Sequence, residues 1–101
     1  MYSKIKKEYN LVTKEVIILE KEVGKVIHVY DKISVGVVAV KGKIKVGDQI
    51  HVKGNSTDFN QTISSMQIEH QNIQEAKKGA EIGMKFDNPV KKHDTVFLAT
   101  D

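Results

Sequence analysis

Four histidines, His28, His51, His70 and His93, are the side chains of this chain best suited to binding a metal or passing a proton near neutral pH. They stand roughly twenty residues apart, with none of the i, i+2 or i, i+4 pairs that set two ligands on one strand or helix face. No metal centre and no cofactor is expected. His28 and His51 fall at polar positions of strand-like patterns, so both are expected as ordinary exposed side chains. Ser34, Ser64 and Ser65 lack the Gly-x-Ser-x-Gly surroundings of an activated serine, and the chain has no cysteine to serve as nucleophile or thiolate ligand. Nor does it contain the Gly-x-x-x-x-Gly-Lys-Ser/Thr cradle that wraps nucleotide phosphates. Neither GTP binding nor any other enzymatic activity is expected.

Binding chemistry is better represented. The formal charge is +3, and lysine supplies all sixteen basic residues. Lys41, Lys43, Lys45, Lys77, Lys78, Lys91 and Lys92 sit in glycine- or turn-rich stretches, where their ammonium groups can reach phosphates. The lack of arginine argues against reading base edges in duplex DNA, because the bidentate guanidinium is the usual tool for that task. Tyr2, Tyr9, Tyr30, Phe59, Phe86 and Phe97 are too scattered to form a platform for stacked bases.

These residues must be carried by a single domain, since 101 residues are too few for two. Hydrophobic residues at 40% and charged residues at 29% describe a folded chain. No apolar run approaches the roughly 20 residues of a membrane span, and nothing at the N-terminus resembles a secretory signal. A cytoplasmic location is the expectation.

From residue 23 onward the apolar residues follow short strand patterns separated by glycine or polar turns. Six strands are predicted, at residues 23–30, 33–40, 49–53, 62–69, 82–86 and 95–99. A loop is expected at 54–60 and a single helical turn at 72–78. The expected core is Val26, Val38, Val40, Ile50, Val52, Ile63, Met66, Ile68, Ile82, Met84, Val96 and Leu98. An all-β fold follows, a small closed six-stranded antiparallel barrel over residues 23–101, because closure removes exposed sheet edges. Residues 1–22 form an N-terminal extension. There Ile5, Tyr9, Val12, Val16, Leu19 and Val23 recur at steps of four and three, which predicts a helix, whereas the β-branched run Val16-Ile17-Ile18 leaves an extra strand as the alternative.

Lys45-Val46-Gly47-Asp48-Gln49-Ile50, Gln74 to Gly79 and Ile82-Gly83-Met84, taken in that order, resemble domain 2 of the translation-factor GTPases, of which elongation factor Tu is the best-known member. The match looks closest to free-standing, elongation-factor-like proteins that consist of this barrel alone. The resemblance implies a non-catalytic, translation-associated module that binds RNA or the ribosome weakly through the loop lysines. The resembling factors carry a glutamate and a basic residue near the positions held here by Gln67 and His70; this chain departs from that pair, and the two residues join the RNA-binding set by position alone. The alternative is a protein-interaction or accessory barrel, since related barrels are also appended to collagenase-like peptidases. In that case residues 1–20 are expected to contact the protein partner.

Overall fold

The computed structural model describes residues 6–10 and 15–98, with β1 (Lys6–Asn10) and β2 (Glu15–Leu19) described by their backbone. These two strands pair antiparallel, Lys6 opposite Leu19 and Asn10 opposite Glu15, in a sheet of their own. The predicted N-terminal helix is thereby corrected to a hairpin; residues 1–5 and 11–14 lie outside the described residues. The β-branched run at 16–18 accounts for the outcome, because valine and isoleucine lose rotamer freedom in a helix and pack well on a pleated sheet.

β3 (Lys21–Tyr30) leads through a 3-10 turn (Asp31–Ile33) into β4 (Val35–Val40). A bulge at Ile27 shifts their register between Val26 and His28. The extra residue sends His28 and Tyr30 to the exposed face while Val29 returns to pack on the core. Then come β5 (Ile44–Lys45), β6 (Gln49–Lys53), β7 (Asp58–Thr62), β8 (Met66–Ile68), β9 (Gln71–Ile73), β10 (Glu75–Ala76), β11 (Glu81–Lys85) and β12 (Thr95–Leu98). Between β5 and β6 the chain turns at Gly47, whose φ of +98° favours glycine, and the Asp48 carboxylate accepts the Lys45 N–H at 3.0 Å.

The all-β class holds, but the barrel is not the closed six-stranded ring expected. The main sheet has eight strands in the order β7-β6-β12-β3-β4-β11-β8-β9, every pair antiparallel, and it curls into a half-barrel around one core. Separate contacts cross the gap in place of a continuous ladder. β5 pairs with β10, and Val46 N–H donates to the Gln74 carbonyl at 2.9 Å beside that pair. Buried Gln61 completes the bridge: its amide donates to the Lys85 carbonyl at 3.0 Å and its carbonyl accepts the Asp87 N–H at 2.8 Å.

Three local expectations change as well. The predicted loop at 54–60 ends early, because Asp58 opens β7, and Thr62 closes that strand instead of starting the next. The helical turn at 72–78 is replaced by β9 and β10. Every expected core residue is buried except Ile68, which is 37% exposed. Met66 and Gln67 pair with β11, whereas Ile68 pairs only with Gln71 of β9 and so runs past the end of the core. Val23, Ile44, Ala76, Phe86 and Val90 complete the interior. No helix among the described residues is long and apolar enough to cross a membrane.

Candidate functional site

The nine residues singled out for RNA fall into three places. Pairing of β5 with β10 sets Lys45 opposite Glu75, and the bonds Gly79 N–H to Val40 O (2.9 Å) and Val40 N–H to Ala80 O (2.8 Å) fold the 77–80 turn against the exit of β4. Lys41, Lys43, Lys45, Lys77 and Lys78 therefore share one corner of the barrel, all of them exposed. Part of this charge is already answered: Lys41 lies 3.1 Å from Glu22 and Lys43 3.8 Å from Glu75. Lys45, Lys77 and Lys78 make no such pair among the described residues.

Gln67 and His70 belong to the β8–β9 hairpin. Gln67 donates to the Asn72 side chain across that hairpin at 3.0 Å, while His70 forms its exposed turn together with Glu69, both at positive φ. Local turn geometry thus accounts for both residues. Lys91 and Lys92 lie in a third place, the loop entering β12, which is tied to β3 by His93 N–H to Val26 O at 2.8 Å and Val26 N–H to Asp94 O at 2.8 Å. Buried Asp94 shapes this loop by accepting the Lys91 N–H at 2.8 Å. Its carboxylate packs so closely on Gly54 that a Cβ there would stand 1.9 Å from Asp94 Oδ1.

His51 departs from the exposed histidine that was expected. Only 17% of its side chain is exposed, and it bridges two acids: Nδ1–H donates to Glu20 Oε1 at 2.8 Å and Nε2–H to Asp58 Oδ1 at 2.5 Å. Partial burial works against the charge on the ring, but the hydrogen bonds to Asp58 and Glu20 and their negative charge outweigh it and raise the pKa above 6.5. The hydrogen bond from His51 lowers the Asp58 pKa in turn. The carboxylates sit on opposite nitrogens of the ring and do not converge on a common point, and no metal-binding group of three or more His, Asp or Glu occurs among the described residues. A sequence signal for half of this arrangement existed, because a hairpin at 49–62 brings positions 51 and 58 diagonally across two strands. Nothing in the spacing pointed to Glu20.

Lys53 also escaped notice. It lines a polar cleft with Asn55, Ser56, Lys91, Lys92 and His93, between the β6–β7 and β11–β12 loops.

Comparison with known proteins gives three kinds of match. The family model for elongation factor Tu domain 2 matches residues 34–93, more than half of the chain. A Methanocaldococcus jannaschii protein described as an uncharacterized protease is 36% identical over 78 residues, which cover 76% of this chain but 19% of that protein, so the chain spans about a fifth of the curated relative's length. Two crystal structures of the C-terminal domain of a Geobacillus thermoleovorans U32 peptidase share the fold. The selenomethionine variant gives a TM-score of 0.73 at 16% identity, covering 76% of this chain and 98% of that one. The other gives 0.71 at 16% identity, covering 75% and 89%. A domain-2-like barrel is thus supported, whereas these relatives carry peptidase names and are not free-standing translation factors.

Proposed function

The chain belongs to the elongation factor Tu domain 2 family, and from that premise we propose that it is a non-catalytic accessory barrel that acts beside a peptidase by binding protein. One observation carries this reading. A protein described as a protease contains a segment 36% identical to 78 residues of this chain within a sequence about five times longer, which leaves most of that protein for other parts. Residues 1–20 are the proposed docking segment, since β1 and β2 form a sheet separate from the barrel. A cytoplasmic location is part of the same reading.

The test uses the tagged full chain, cross-linked in cells and purified with and without RNase. A peptidase chain that stays bound after RNase, and is lost when residues 1–20 are removed, supports the proposal. Capture of no protein partner overturns it, and so does hydrolysis of unfolded casein by the purified chain alone.

A second reading, weak binding of RNA or the ribosome, is favoured by the corner that gathers Lys45, Lys77 and Lys78. Contacts of ammonium with phosphate release counterions, so affinity should fall steeply with salt. K77A/K78A should weaken binding to a structured RNA and flatten that salt slope without changing the fold. An unchanged slope eliminates this reading.

A further inference from the structure

Lys91 and Lys92 stand on the divide between two adjoining concavities of different character. On one side is the polar cleft, where Lys53 adds a third ammonium group and Asn55, Ser56 and His93 supply hydrogen-bonding groups. On the other side is an apolar groove floored by Val29, Pro89 and Val90, with His28 and Asp31 on its walls. Both concavities count Lys91 and Lys92 among their lining residues, so a single ligand can enter both. We infer that this double concavity binds a peptide segment in which a carboxylate stands next to an aliphatic side chain.

The charge balance fits the first half of that ligand. Lys53, Lys91 and Lys92 are exposed, while the one acid in the cleft, Asp94, is 4% exposed and already occupied by the Lys91 N–H. Lys53 stands directly across the β6–β7 pair from Asp58, which leaves Lys91 and Lys92 as the main cationic pair. Packing of Asp94 on Gly54 and the bonds from this loop to Val26 hold both walls in place, so the cleft exists before ligand arrives.

The groove selects the second half, and it distinguishes a peptide from a nucleic acid. Its floor is aliphatic and Tyr30 is not part of it; that ring stacks edge-on against His28, 4.5 Å between centroids. A leucine or valine side chain suits such a floor better than a flat base does. Asp31 on the wall, with Asp87 beyond Pro89 in the continuation of the groove, repels a run of phosphates but can accept a peptide N–H. The carboxylate can be a chain terminus or an aspartate or glutamate side chain, and both present the same group to the lysines.

Fluorescence anisotropy with the full chain separates these cases. Four labelled hexapeptides serve as probes: one ending in Leu-Val with a free carboxylate, its C-terminal amide, an amide with an internal Glu-Leu pair, and the same amide with Gln in place of Glu. Binding at about 100 μM is expected for at least one carboxylate peptide, with its uncharged counterpart weaker by about tenfold. Preference for the free acid identifies a terminus, and preference for the internal glutamate identifies a side chain. K91A/K92A should weaken binding at least about fivefold and K53A to a smaller degree, with unfolding midpoints unchanged, whereas K77A/K78A should leave it intact. The inference fails if no peptide binds at about 1 mM, if charged and uncharged peptides bind alike, or if a ten-nucleotide RNA competes for this site more tightly than the peptides. It goes beyond the accessory-barrel reading and is measured without any peptidase, so either can fail while the other stands.

Discussion

His51 Nδ1 lies 2.8 Å from Glu20 Oε1, so a residue of β6 holds the short connection between the N-terminal hairpin and β3. Because Asp58 on β7 takes the other ring nitrogen, protonated histidine joins three segments of the chain.

Stability should follow the charge of this bridge. The His51 pKa is raised on folding, so its contribution is complete below the unfolded value of 6.5 and is lost as pH rises through the folded value. Asp58 is lowered from 3.8, so its contribution is present above that pH and lost as pH falls through the folded value. Both act together between these limits. Urea unfolding measured from pH 5 to pH 9 should show wild type losing at most about 1 kcal/mol through the histidine step, because solvent screens a surface pair. The His51→Gln variant should lack that step.

Gln61 replaces ladder bonds at the gap in the half-barrel, so removing it leaves the Asp87 N–H and the Lys85 carbonyl without their partner. Gln61→Ala is expected to cost about 1–3 kcal/mol, the usual penalty for a buried polar group left unpaired. Amide exchange should locate the loss, with the Asp87 N–H exchanging faster under native conditions.

Ile82 and Ile68 are predicted to differ sharply in their response to the same truncation. Ile82 is 1% exposed, so Ile82→Ala should destabilise by about 2–4 kcal/mol through lost burial and the cavity left behind. Ile68 is 37% exposed at the β8–β9 hairpin, and Ile68→Ala should stay within about 0.5 kcal/mol of wild type. Denaturant midpoints of the two variants provide the check.

Gly54→Ala should cost about 1–3 kcal/mol by overpacking, because the new Cβ meets the buried Asp94 carboxylate. Relief of that clash must displace Asp94 from the Lys91 N–H, so the NMR resonances of residues 91–94 should shift along with the melting temperature.

Much of the fold was legible because burial on one face of a strand writes itself as alternation. Gln49-Ile50-His51-Val52-Lys53 reads directly as β6, and its Ile50 and Val52 are fully buried. Asp58-Phe59-Asn60-Gln61-Thr62 did not read as a strand, because its buried position is a glutamine whose polarity is satisfied by the distant backbone of residues 85 and 87. The N-terminal segment carried two signals at once, helical spacing of its apolar residues and β-branching at 16–18, and the hairpin form is the one that suits the β-branched run.

The all-β class, the core strands, the turn at Gly47-Asp48 and the lack of a phosphate cradle are legible in the chain, because each of these rests on neighbouring residues. The place where the sheet stops closing, the meeting of Lys45 with the Lys77-Lys78 turn, the flanking of His51 by Glu20 and Asp58, and the gathering of Lys53, Lys91 and Lys92 around one cleft emerge on folding alone. Those relationships join residues up to 39 positions apart, such as Lys53 and Lys92. Their proximity follows from strand order and register, which arise from packing the whole core and leave no periodic trace in the local sequence.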